Sequence, residues 1–299
     1  MAHLLDLCAQ LPISQIEDVQ FPNYLLGCFR RKSISFFNGL TDEETIVYWF
    51  QSRTFSIDLR LSDGQDTPIC ERQAWIGDTL WDDQQQLLSW HIDQGYQTRT
   101  QWPEPAKLYP IGNAVLEFSP SNAYVEDWRQ QIKTTQPVSL LGLRLKYVKH
   151  VETGVQHMMD GGLIVCGDTL VFCRSRLPDQ QQKCAQYSDL QLALNAGNLS
   201  EQDINSYLLS IALQDGSIAH STQDQQVGQS IALDHFELLD TGMLKQHSEI
   251  AGIAYDFYFE LDLYLPVFHP LQSTTTTAQT ERWMDQEQLH LRHHATVVH

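Results

Sequence analysis

TFSIDLRLS, residues 54–62, alternates apolar Phe55, Ile57, Leu59 and Leu61 with polar Ser56, Asp58 and Arg60. A two-residue period puts the two sets on opposite faces of an extended strand, one facing core. Just upstream, FRRKSISFF (29–37) and ETIVYWFQSR (44–53) are rich in β-branched and aromatic residues. Asn38-Gly39 and Asp63-Gly64 supply turn chemistry, so these runs read as hairpin-linked strands. Further strand candidates are AWIGDTLW (74–81), LLSWHIDQGY (87–96), AVLEFS (114–119) and AYVEDWRQQ (123–131). Between them WPEPAKLYP (102–110) reads as a proline-rich loop, because proline cannot donate to the ladder of a central strand.

The second half repeats the style. VSLLGLRLKYV (138–148) and LIVCGDTLVFCRSR (163–176), folded at Gly167-Asp168, read as an antiparallel meander. SDLQLALNAG (188–197) has helical spacing, and Ser200 three residues before Asp203 approximates a capping box that starts a second short helix over 198–210. Strands resume at 217–223, 230–240 and 251–267. TFSIDLRLSDGQ resembles TLVFCRSRLPDQQ, with Arg60 and Arg176 116 residues apart, and LLSWHIDQG from Leu87 resembles LLSIALQDG from Leu208 at an offset of 121. This is too long a period for a solenoid and suggests a duplicated domain. All-β chains of this size commonly hide their edges by closing sheets into barrels. The expectation is therefore a mainly β protein with two antiparallel barrels in tandem. A helical lead-in spans 1–20, the first barrel 21–135, the second 136–270 with a helical insertion near 187–213, and a polar tail 271–299.

Composition sets bounds on partners. The 299 residues carry a formal charge of −18, which repels phosphate backbones and anionic lipid, so neither nucleic acid nor a membrane surface is an expected partner. No stretch approaches the roughly 18 consecutive apolar residues of a membrane-spanning helix, and the N-terminal residues lack the pattern of a secretory signal. The six cysteines form no CxxC pair and read as thiols of a reducing cytoplasm.

Three segments carry a family resemblance: YWFQSR followed by IDLRL, the block SWHIDQGYQ, and AYVEDWR. They are similar to an uncharacterised bacterial set whose motifs run aromatic-Leu-Gln-Thr, Ala-Asp-Ile-Arg, Trp-His-Arg-x-Ile-Asp and Tyr-x-Glu-x-Trp-Arg. The fungal Hri family, with two lipocalin-like, calycin-type barrels, looks related. The resemblance implies the fold and no activity. The second half departs from the pattern at LLSIALQDG and at Ser221–Gln226.

The matched residues Trp49, Arg53, Asp58, Arg60, Trp90, His91 and Asp93 are the candidate ligand-binding set. Arg60 or Arg53 would supply a fork for a carboxylate, and Trp90 or Trp49 a stacking wall. The competing reading of Asp58 and Arg60 is a solvated outer face with cross-strand ion pairs. His91 beside Asp93 resembles an acid/base pair but lacks a recognisable nucleophile, so no catalytic residue is assigned. His290, His293 and His294 have a spacing compatible with metal ligation, yet their terminal position favours adventitious binding and no metal site is assigned. No cofactor is indicated. The functional expectation is a barrel that encloses a small apolar or amphipathic ligand. The alternative is a filled module that binds a protein partner through loops around Trp75, Trp81 and Trp102, and a third reading is an enzyme using Trp90, His91 and Asp93.

Overall fold

The computed structural model describes residues 1–93, 96, 104–240, 242–270 and 276–295. Its first sheet contains β1 (Gly27–Phe36), β2 (Thr41–Asp42), β3 (Ile46–Gln51), β4 (Phe55–Gln65), β5 (Gln73–Asp82), β6 (Leu87–His91), β7 (Ala106–Ile111), β8 (Ala114–Phe118) and β9 (Tyr124–Gln130). Each strand pairs antiparallel with its neighbour, and β9 returns to β1 from Phe29↔Gln130 to Phe36↔Tyr124. Short β2 and β3 share one edge of β1, so the ring has eight strand positions. Closure pairs the edge groups that an open sheet would leave exposed. A register shift between Arg31 and Ser33 bends β1 beside the closing seam.

The second sheet contains β10 (Val138–His150), β11 (Gln156–Cys166), β12 (Thr169–Arg174), β13 (Leu208–Ala212), β14 (Ile218–Ser221), β15 (Phe236–Asp240), β16 (Met243–Ile250) and β17 (Ile253–Phe268). Its order is β14-β13-β12-β11-β10-β17-β16-β15. The first and last strands pair, as in the barrel, but among the described residues β14 and β15 do not. The expected second barrel is thus an open, eight-stranded antiparallel sheet. The equivalent seam of the first sheet, β6 to β7, has two register pairs among the described residues, Leu87↔Lys107 and Leu88↔Ala106.

Turn chemistry located the turn after β1 at Asn38-Gly39 and the β11–β12 turn at Gly167-Asp168, whereas Asp63-Gly64 falls within the end of β4. Gly167, at φ +60°, links β11 to β12 in a left-handed conformation that glycine adopts without steric cost. Two segments differ from expectation. Pro110 lies inside β7, opposite Val115 of β8, beyond the two residues through which β7 pairs with β6. The proline therefore sits where its missing N–H breaks no ladder. Residues 208–212 form β13 rather than extending the capped helix, because pairing with β12 from Leu170↔Ala212 to Arg174↔Leu208 outweighs local propensity. Leu87 consequently lies on the fifth strand position of its sheet and Leu208 on the fourth, so those two similar segments are not topologically equivalent.

Helices are few and short. They are α1 (Leu4–Leu7), α2 (Pro178–Cys184), α3 (Leu190–Asn195), α4 (Glu201–Ile204) and α5 (Ala278–Leu291). The reciprocal capping box at Ser200 and Asp203 is present. Helix α5 is exposed along its length. Among the described residues no helix is long and apolar enough to cross a membrane.

One apolar cluster runs through both sheets, joining Phe55, Ile57 and Ile76 of the barrel to Ile164, Cys173 and Leu209 of the open sheet. The contact is close at Gly162 of β11, where an added Cβ would lie 3.0 Å from Ile76 and 3.1 Å from Phe55. A second cluster covers the opposite face of the open sheet, with Leu4 and Leu7 of α1 packed on Phe236, Phe257 and Phe259. Polar ties cross between the sheets. Asp262 of β17 accepts from Ser52 Oγ at 2.5 Å, Thr54 Oγ1 at 2.6 Å and Thr54 N at 3.1 Å. Arg72 donates to the Thr222 carbonyl at 3.0 Å, and Arg176 to the Tyr96 carbonyl.

Candidate functional site

The register of β3, β4 and β5 sets Trp49 opposite Asp58 and Asp58 opposite Trp75. Residues paired across strands share a face, and this face points into the barrel. The apolar set Phe55, Ile57 and Leu59 occupies the other face, which the open sheet covers. Asp58 is only 2% exposed. The Asp–Arg face is therefore not a solvated outer surface: alternation separates two faces without saying which is inside, and here both are covered.

The barrel holds a cavity of about 360 Å³, partly open to the surface and within the range of small-molecule sites. Its aromatic wall is a corner of indoles. Trp49 lies edge-on to Trp90, with centroids 5.7 Å apart at 86°, and edge-on to Trp128 at 5.7 Å and 73°. Trp49 Nε1 donates to Gln51 Oε1 at 3.1 Å, whereas the buried Trp90 Nε1 has no acceptor among the described residues.

Charged groups fill the rest of the lining. Arg60 grips Asp58 with both arms of its fork, Nε to Oδ1 at 2.8 Å and NH2 to Oδ2 at 3.3 Å. Arg31 bridges Asp42 and Glu126 at 2.9 Å each. Glu117 of β8 lies directly opposite Glu126 of β9. It accepts from Tyr124 Oη at 3.0 Å and from Trp128 Nε1 at 2.9 Å. Burial, reinforced by the adjacent Glu126 carboxylate, raises Glu117 from the usual carboxyl range to about 8, against the opposing pull of its two donors and Arg60. That direction favours the neutral acid over the carboxylate.

Of the expected residues, Trp49, Asp58, Arg60 and Trp90 line this cavity and Arg53, His91 and Asp93 do not. Arg53 sits in the β3–β4 turn with Nε 3.9 Å from Asp262 Oδ1, part of the junction between sheets. His91 is exposed at the end of β6, opposite Asp78, with Nε2 3.4 Å from Ser89 Oγ. Asp93 follows the strand, and its charge acts on Asp160 of β11, which burial raises to about 6 despite the Arg144 ion pair. Arg60 is not a free fork for a ligand carboxylate, because Asp58 already occupies it. Trp75 and Trp81 belong to β5 rather than to loops, and Trp75, 9% exposed, faces the cavity. Trp102 lies outside the described residues.

Arg31, Glu117, Tyr124, Glu126 and Trp128 were not among the expected site residues. A signal for three of them was present in AYVEDWR, where Tyr124, Glu126 and Trp128 recur every second residue and so share one strand face. All six cysteines are free thiols. Among the described residues no group of three or more His, Cys, Asp or Glu side chains is placed to hold a metal ion, and His290, His293 and His294 lie on or just past exposed α5. Comparison with protein-family models, with curated proteins and with solved structures found no significant match.

Proposed function

We propose that the closed barrel binds one small amphipathic molecule in its cavity and that the open sheet braces the barrel. The observation that carries this reading is a partly open cavity of about 360 Å³ lined by Trp49, Trp75, Trp90 and Trp128. Aromatic walls with a few convergent polar groups are the usual lining of small-molecule sites. A barrel filled by its own side chains, as a purely protein-binding module would have, fits the cavity less well.

Native mass spectrometry of the purified chain, followed by denaturing release, tests the reading. A reproducible bound mass is expected from the wild type and not from Ala123→Phe, which would fill space in the cavity lining. Equal spectra from both proteins, with no released compound, would refute it.

Kinship with the two-barrel fungal Hri family, and an origin by tandem duplication, belong to the same proposal. In both sheets the first and last strand positions pair, and the fifth-to-sixth seam is the weak or open one. This shared order supports duplication. Six free thiols support a reducing, cytoplasmic setting.

A further inference from the structure

We propose that the occupant of the barrel cavity is an organic cation, a quaternary or protonated amine carried on an apolar or aromatic body. This rests on the ligand-binding reading above and adds the ligand's charge to it. Among the described residues the lining brings together five carboxyl groups and two guanidinium groups. Both cations are already committed, Arg31 to Asp42 and Glu126, and Arg60 to Asp58. An anionic ligand would have to displace a carboxylate from one of them.

Glu117 is the group that an incoming cation would satisfy. Its two oxygens accept from neutral donors, Trp128 and Tyr124, and among the described residues no cation lies within ion-pair distance of it. The tryptophan corner supplies the second half of the recognition. Indole faces carry negative quadrupole density, and the corner that Trp49 makes by lying edge-on to both Trp90 and Trp128 suits a compact positive charge better than a flat neutral ring. Carboxylates beside aromatic walls are the chemistry that holds alkylammonium groups.

The charge state of Glu117 links binding to pH. Tyr124 and Glu126 face it from β9, Leu108 lies opposite on β7, and Arg60 with Asp58 approaches from β4. Arg31, Asp42 and Glu104 complete the charged lining. A cation beside Glu117 favours its ionised form, so binding releases a proton and tightens as pH rises through the acid's titration.

The test is intrinsic-fluorescence titration of the full chain with three probes of one size class: phenyltrimethylammonium, its neutral isostere tert-butylbenzene, and benzoate. At pH 8.5 the ammonium probe is expected to bind at least ~10-fold more tightly than tert-butylbenzene, with benzoate weakest. Its affinity is expected to rise between pH 6 and 9 although its own charge is fixed. Glu117→Gln, checked for fold by circular dichroism, is expected to flatten that rise. Equal or tighter binding of tert-butylbenzene or benzoate would overturn the cation assignment and leave the binding cavity standing. Failure of all three probes would overturn it too, and the cavity reading would fall with it only if no released mass were found in the native spectra.

Discussion

Glu117 lies between a tyrosine hydroxyl and an indole N–H, 3% exposed, with a second carboxylate across the ladder. Its pKa is about 8 in the folded chain against an ordinary 4.5, so the native state holds the proton more tightly than the unfolded chain. That stabilisation is complete below the ordinary value and is lost as pH rises through about 8. Glu117→Gln keeps a neutral side chain of the same shape at every pH. Its unfolding free energy is expected to match the wild type near pH 5 and to exceed it by about 1–3 kcal/mol at pH 9. Denaturant melts at the two pH values check this, and a constant difference would refute it. Asp58 presents the converse case: Arg60→Met leaves a carboxylate of 2% exposure without its guanidinium partner. The expected loss is about 2–3 kcal/mol, toward the lower end of such cases because Arg60 is partly open to the cavity. Adding Asp58→Asn should recover part of the loss in the same melts. Asp58 and Arg60 were legible as a pair from their spacing. The partners of Glu117 were not, because a two-residue period names the residues on a face and says nothing of which strand closes against it.

At the level of elements, the junction between sheets depends on a bare backbone. A Cβ on Gly142 of β10 would lie 1.9 Å from Ser52 Oγ and 2.8 Å from Ser52 Cβ, within the group bonded to Asp262. Gly142→Ala must push the β3–β4 turn away and break that hydrogen bond, an expected loss of about 2–4 kcal/mol by chemical denaturation. Ser52→Gly in the same chain removes the clash and should restore part of the stability. Among the described residues the β6–β7 seam has two register pairs against six between β3 and β4. Amide exchange in Leu87–His91 is expected to outpace that in Ile46–Gln51, and equal protection would contradict the pairing. Elements with strong alternation or a glycine turn were readable from sequence. Those decided by a neighbour, such as Pro110 in β7 and Leu208–Ala212 in β13, were not, since local chemistry at each favours another conformation.

For the whole molecule, the shared apolar cluster makes the barrel and the open sheet one mechanical unit. Phe55, Ile57 and Ile76 would be exposed if the open sheet were removed, and Ile164, Cys173 and Leu209 if the barrel were. The expected outcome is one cooperative thermal transition, with tryptophan fluorescence, far-ultraviolet circular dichroism and calorimetry coinciding. Two separated transitions would show that the sheets unfold independently. The barrel covers one face of the open sheet, and Leu4, Leu7 and Leu11 pack into the apolar cluster on the other.

The sequence by itself determined that this chain builds antiparallel sheets, where several of its hairpins turn, and that Trp49, Asp58, Arg60 and Trp90 fall on strands able to share a site. Those properties are local, set by side-chain period and backbone preference over a few residues. Which face of each strand lies inside, whether a sheet closes, and which carboxyl is left without a cation were decided only by tertiary structure. Arg31 meets Glu126 across 95 residues of chain, and the apolar stripe of β4 is covered by strands that begin more than seventy residues later. Contacts at that separation depend on how sheets stack, and alternation within one strand carries no record of what will be packed against it.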